Sequence, residues 1–180
     1  MRILAGTIKN KLIPSAKSAS YRPTASFLRE AIFNILGSLQ IDIKKSKVLD
    51  AFAGTGSLAF EALSRGAQSA TLLDINPQYL KIGRDFILQN NLNARYALLD
   101  VTKLPQAYQK YDLVFLDPPY QDNMVFSALE SLLKKGWLEI GAVIVAELPY
   151  TKDNVNAPPC CVILKDKQYK STRLLVMKII

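Results

Sequence analysis

Histidine is absent from the 180 residues, and cysteine occurs only twice, side by side, as Cys160 and Cys161. Without histidine, Ser-His and Cys-His nucleophilic catalysis are excluded. Adjacent cysteines close no useful loop, and with no imidazole to help them neither a disulfide framework nor a zinc site is expected. The chain also lacks any apolar run of membrane-spanning length. Its start, Met1-Arg2-Ile3-Leu4-Ala5-Gly6, opens no long apolar region ending in a small-residue cleavage site. No internal repeat or low-complexity segment is visible. What remains is a chain 49% hydrophobic, long enough for one domain with a proper core and too short for two ordinary ones. The expectation is a single domain over residues 1–180, with an arm at 1–22 and a core at 23–180, in a cytoplasmic protein that makes no use of a membrane.

Acid is scarce relative to base: 15 Asp and Glu against 23 Lys and Arg give a net charge of +8. The excess sits at the ends. Arg2, Lys9, Lys11, Lys17, Arg22 and Arg29 face only Glu30 in the first segment, and Lys152, Lys165, Lys167, Lys170, Arg173 and Lys178 face only Asp153 and Asp166 in the last. Between them the charge is nearly balanced. Basic ends around a neutral middle fit a catalytic centre whose edges grip a polyanion, and nucleic acid is the expected partner.

Residues 2–13 alternate loosely through Ile8, Lys9, Asn10, Lys11 and Leu12, as a short hairpin would, with Asn10 suited to its turn. A Ser/Ala/Lys linker follows to Ser20. Pro23 suits a first helical turn, and Leu28, Ile32, Ile35, Leu36 and Leu39 follow at helical spacing, with Gly37 expected to end or weaken the helix. From Lys47 strands and helices alternate. Val48-Leu49 leads into a glycine turn and a helix through Ser64. Ala70 to Leu73 ends at Asp74, ahead of a helix from Pro77 to about Asn90, and Ala97-Leu98-Leu99 ends at Asp100. Leu113-Val114-Phe115-Leu116 ends at Asp117, a helix runs from about Asn123 to Lys135, and Ala142 to Ala146 form the next strand. Such a βαβα series predicts an α/β fold with a parallel sheet and right-handed crossovers. Cys160 to Leu164 and Arg173 to Ile179 read as two strands joined by a short basic turn, hence an antiparallel end to the sheet.

Four acids, Asp50, Asp74, Asp100 and Asp117, close four successive predicted strands. Each alone would be an ordinary helix cap. Together on the carboxyl edge of a parallel sheet, where ligands bind, their mutual repulsion points to a shared site. Asp50-Ala51-Phe52-Ala53-Gly54-Thr55-Gly56 carries two glycines that let the backbone turn sharply beside a ligand. With Ala59 it also satisfies G-x-G-x-x-G/A, so a nicotinamide dinucleotide is one reading. Asp74 is placed to accept from both ribose hydroxyls, and Asp100 to meet an adenine amino group. A carboxylate ahead of the glycine turn disfavours a pyrophosphate, however, and suits the cationic amino group of a methionine moiety. S-adenosylmethionine is therefore the expected cofactor, released as S-adenosylhomocysteine. Its expected site is Asp50, Phe52, Ala53, Gly54, Thr55, Gly56, Asp74, Ile75, Asp100 and Val101, with no metal.

Asp117-Pro118-Pro119-Tyr120 supplies the reaction. Two prolines cannot continue a ladder, so they form a rigid lip at the strand's end. The exocyclic amine of a nucleobase is a weak nucleophile because its lone pair is delocalised into the ring. The Asp117 carboxylate and the Pro118 carbonyl accept its two N–H bonds and draw the nitrogen toward tetrahedral geometry, freeing the lone pair. Much of the gain is positioning. Tyr120 stacks on the base once it has left its own stack. A tRNA or DNA amino-methyltransferase fits the same core. A non-catalytic RNA-binding assembly factor on this scaffold is a third reading, although a retired enzyme need not keep all four acids.

These residues together resemble the class I S-adenosylmethionine-dependent methyltransferases that methylate exocyclic amines through a D/N-P-P-Y/F motif. Arg2-Ile3 with Gly6, Arg22-Pro23-Thr24, Arg29-Glu30, Phe33-Asn34 and Glu61-Ala62-Leu63-Ser64-Arg65 narrow the likeness to the RsmD family, bacterial 16S ribosomal RNA guanine-N2 methyltransferases. Ala142 to Glu147 and Thr172-Arg173-Leu174 also fit, so the likeness covers nearly the whole chain. It implies a Rossmann-like fold with a seven-stranded, mostly parallel sheet, the last strand inserted antiparallel. Helices cover both faces, and an N-terminal β-hairpin and helix are added. It also implies methylation of the N2 amine of a guanine in 16S ribosomal RNA, presented on a small-subunit particle; a monomer is expected. Lys9, Lys11, Lys17, Arg22, Thr24 and Arg29 are the expected RNA-binding residues, Arg22 and Thr24 in a segment that approaches the cofactor or the target nucleotide. Three positions depart from the family pattern. Phe27 stands where a basic residue is common, Asn10 where the hairpin often has glycine, and Lys170 where glycine often precedes the last strand.

Overall fold

Alternate residues of each central strand feed two different cores, which is why these strands read as unbroken apolar runs. The computed structural model describes residues 1–14, 26–119, 124–152 and 155–180. Its strands are β1 (Lys47–Asp50), β2 (Ser69–Asp74), β3 (Ala94–Leu98), β4 (Tyr111–Leu116), β5 (Leu138–Pro149), β6 (Cys161–Tyr169) and β7 (Thr172–Ile179). Its helices are α1 (Ser26–Ser38), α2 (Ser57–Ser64), α3 (Pro77–Gln89) and α4 (Met124–Lys134). The strands form one seven-stranded sheet in the order β3-β2-β1-β4-β5-β7-β6. Strands β1 to β5 run parallel, and β7 is inserted antiparallel between β5 and β6. Val48, Leu113, Phe115, Val143 and Val145 face one core with residues of α1, α2 and α3. Leu49, Val114, Leu116, Ile144 and Ala146 face the other with α4. Burying each large aliphatic side chain is worth about 2 kcal/mol, so a charge placed on either side of β4 would break the sheet.

Boundaries follow the sequence closely, with four differences, the first being that β6 runs on past Leu164 to Tyr169, because the basic residues expected to form a turn pair with β7 instead. Helix α1 passes Gly37 by a single residue and ends at Ser38, at the point where the glycine weakens it. Strand β3 lies earlier than Ala97-Leu98-Leu99, and Asp100 stands beyond it as the cap of a short turn over Val101–Lys103. Strand β5 starts well ahead of Ala142 and accommodates a register break between Tyr111 and Leu113 of its neighbour. Pro23 lies outside the described residues.

The N-terminal hairpin forms as expected, with Arg2 and Leu12 bridged antiparallel and Asn10 turning at φ +68°. It is anchored on α2. Glu61, fully buried, accepts from the backbone N–H groups of Leu4 and Ala5 at 2.7 and 3.1 Å and from Arg65 Nε at 2.8 Å. Thr7 N–H donates to the Ser64 carbonyl at 2.7 Å. Gly6 permits this approach: its φ is +88°, and a Cβ there would lie 1.8 Å from the Ser64 carbonyl oxygen. Arg29 completes the anchor from α1. Its buried guanidinium donates to Arg2 O at 2.7 Å, and its Nε stands 3.8 Å from Glu61. The expectation that Arg29 meets RNA is corrected here: a side chain with no exposed surface holds the hairpin from inside and cannot reach a phosphate.

Candidate active site

The chain leaves β1 toward β2 and returns on its other side as β4. Ligands bind outside the carboxyl ends of the strands at such a switch point, and a cleft of about 700 Å³ opens there. Asp50, Asp74, Asp100 and Asp117 all line it, as do Phe52, Ala53, Gly54, Ile75 and Val101, with Pro118 and Pro119 at one wall. Thr55 is buried and Gly56 caps α2, so these two shape the turn and do not line the cleft. At Gly56 φ is +92°, and a Cβ would lie 2.4 Å from the Phe60 ring. Lys9 and Lys11 are exposed on the hairpin. Tyr120, Lys17, Arg22 and Thr24 lie outside the described residues.

The acids act as caps and as cleft walls at once. Asp74 Oδ2 accepts from Gly54 N–H and its Oδ1 from Asn76 N–H, both at 2.8 Å, so β2 ends by gripping the glycine turn. Tyr96 OH donates to the Gly54 carbonyl at 2.6 Å and fixes the turn from β3. Sequence reasoning missed Tyr96, whose one signal is an aromatic ring among small and exposed residues of an edge strand. Asp100 accepts from Thr102 N–H at 2.9 Å and Thr102 Oγ1 at 2.6 Å, and these bonds hold its carboxyl below the usual range. Asp50 Oδ2 accepts from Ala59 N–H at 3.2 Å in the first turn of α2. Burial pushes the Asp50 carboxyl up to about 8 against the pull of that N–H, and the charges of Asp117 and Asp74 add to the rise.

A fifth acid, Glu147, joins this set. It closes the apolar run of β5 as the other acids close theirs, a pattern that would have found it from sequence. Ala146 pairs with Leu116, so Glu147 stands level with Asp117 on the neighbouring strand. Burial, the adjacent Asp117 and then Asp50 push its carboxyl up to about 9.

This donor set fits S-adenosylmethionine and not a dinucleotide. Asp50 is buried beside other carboxyl groups and stays uncharged for want of a cation, which an ammonium group supplies. A pyrophosphate would add anions to anions. Ile75, 71% exposed in the cleft wall, offers an apolar face to a purine.

The switch-point cleft, the glycine turn and the Asp-Pro-Pro lip on this strand order define a Rossmann-like class I methyltransferase that uses S-adenosylmethionine. Solved structures agree. The Escherichia coli protein yhhF, to which methyltransferase activity is ascribed, superposes with a TM-score of 0.88 at 26% identity, over 99% of this chain and 97% of that one. A Haemophilus influenzae protein described as a methylase gives 0.79 at 29% identity, over 99% and 98%. An uncharacterized methylase of Rickettsia prowazekii is 33% identical over 99% of this chain and 97% of its own length. The ribosomal RNA small subunit methyltransferase D of Haemophilus influenzae is 35% identical over 93% and 88%. The family model described as Conserved hypothetical protein 95 matches residues 1–178. The chain belongs to this family, the RsmD family its motifs resemble.

Proposed function

We propose that this protein methylates the N2 amine of a guanine in 16S ribosomal RNA, acting as a cytoplasmic monomer on a small-subunit particle. The observation that carries the reading is one cleft in which Asp117 and Pro118, just beyond β4, adjoin Asp50 and the glycine turn that follows β1. The names of relatives support the RNA class, since the proteins of Haemophilus influenzae and Buchnera aphidicola are ribosomal RNA small subunit methyltransferases.

When bound, S-adenosylmethionine supplies an electrophilic methyl group. Asp50 and the Gly54 turn hold its methionine end, Asp74 the ribose, and Asp100, Ile75 and Val101 the adenine. Asp117 and the Pro118 carbonyl accept the two N–H bonds of the target amine and aim its lone pair into the cleft. Tyr120 stacks on the extruded base. Asp117, half-exposed, takes the surplus proton of the methylated nitrogen and passes it to water. Lys9, Lys11 and Lys17, with Arg22 and Thr24, meet the RNA backbone.

Mass mapping of ribosomal RNA from cells with and without the chain tests this. One N2-methylguanosine should vanish from the small-subunit RNA. An unchanged small-subunit RNA, or a methyl group lost instead from tRNA or DNA, would contradict it.

A further inference from the structure

Glu147 and Asp117 stand level on neighbouring strands and line the same cleft, and a side-chain hydrogen bond to Asp117 is among the causes that raise the Glu147 carboxyl. Two carboxyl groups share a hydrogen bond only if one keeps its proton. The Glu147 Oε1 atom is buried with no partner. A neutral acid leaves an unsatisfied carbonyl oxygen at that place, whereas an ionised one would leave an unsolvated charge, which is far worse. The proton therefore sits on Glu147, and its other oxygen donates to Asp117.

We propose that Glu147 is a positioning residue for methyl transfer: as a neutral acid it donates to Asp117, fixes the rotation of that carboxylate and keeps its second oxygen free for the target amine. This rests on Asp117 being the amine acceptor. As the nitrogen–methyl bond forms, the electron pair of the broken carbon–sulfur bond stays on sulfur. The nitrogen's surplus proton moves to Asp117, and its loss to water restores the singly protonated pair.

The surrounding charges favour that state. Asp117, just beyond β4, disfavours a further anion at Glu147, and Asp50 of β1 adds to this once it ionises. From β7, Arg173 lies opposite Leu148, but its guanidinium is committed to Asp166 through bonds of 2.8 and 2.7 Å. Lys170, in the β6–β7 turn, lines the same cleft with its ammonium 5.4 Å from the Phe27 ring.

Infrared difference spectroscopy of wild type against Glu147→Gln reads the proton directly, with neither cofactor nor RNA present. A protonated-carboxyl band belonging to Glu147 is expected at pH 7 and should titrate away near pH 9. Single-turnover methyl transfer to small-subunit RNA gives the second readout. Glu147→Gln keeps an N–H to donate, so its rate should stay within about fivefold of wild type and lose the wild-type fall above pH 9. Glu147→Leu should be slower by about thirtyfold or more, with cofactor affinity unchanged. Guanine's own titration affects all three proteins alike. No band at pH 7, or Gln and Leu variants equally slow, would overturn the proposal. A wild-type protein that transfers no methyl group to RNA would instead overturn the reading of the site, whatever the band showed.

Discussion

A buried carboxyl group that titrates near pH 8, as Asp50 does, binds a cation only after losing its proton. Cofactor affinity should therefore rise with pH up to about 8 and then level, with proton release visible by calorimetry in buffers of different ionisation heat. In Asp50→Asn the affinity should be weaker and flat with pH. The same two buried acids make stability fall as pH rises. Folded Asp50 and Glu147 retain protons, to about 8 and about 9, that the unfolded chain gives up near 3.8 and 4.5. Their contribution is fully present below those lower values and is lost through the upper ones, so urea unfolding should show a more stable free protein at pH 5 than at pH 9. Lys170 adds a different strain. Its φ of +54° is left-handed, a region costing an L-residue about 1 kcal/mol, and its ammonium lies over Phe27 at the cleft mouth. Two of the three departures from the family pattern thus meet each other. Lys170→Gly should raise stability by about 1 kcal/mol while weakening RNA binding.

Among the elements, the strands were legible where both faces are buried and illegible where they are not. β4 and the middle of β5 announce themselves because successive residues enter opposite cores. β3 is an edge strand with Tyr96 as its one buried residue, so the apolar trio just after it drew the boundary too late. Arg29 was misread for a related reason. Next to Glu30 it looks like part of a charged helix face, and its burial depends on Glu61 of α2, a partnership no local pattern reveals. Four of the five cleft acids were legible because each closes an apolar run or its turn. What local pattern hid was that Asp74 also holds Gly54, since that bond joins two loops. Removing the Arg29 guanidinium strips the Arg2 carbonyl of its buried donor and leaves Glu61 with Arg65 as its one cation among the described residues, and Arg29→Met should cost about 2 kcal/mol in urea unfolding. Amide exchange at Leu4 and Ala5, which donate to Glu61, should speed up in step.

At the scale of the whole molecule, one cleft at the sheet's carboxyl edge holds Asp50, the glycine turn and the Asp117-Pro118-Pro119 lip, and the proposed function has the basic ends bring RNA to it. The exposed hairpin lysines make that testable. Replacing Lys9 and Lys11 with glutamine should reduce the salt slope of RNA binding by about 1.4, the value for two lost contacts to single-stranded RNA. An unaltered slope would remove the hairpin from the interface. The central claim, that the Asp117 lip methylates guanine N2 in small-subunit RNA, is tested most directly in a purified system. Wild type and Asp117→Ala are incubated with S-adenosylmethionine and small subunits lacking the modification, and the digested RNA is mapped by mass. The wild-type protein should add one N2-methylguanosine, and Asp117→Ala should be slower by about a hundredfold or more with cofactor affinity within a few fold. A methyl group on another base, or an Asp117→Ala protein as fast as wild type, would contradict the account.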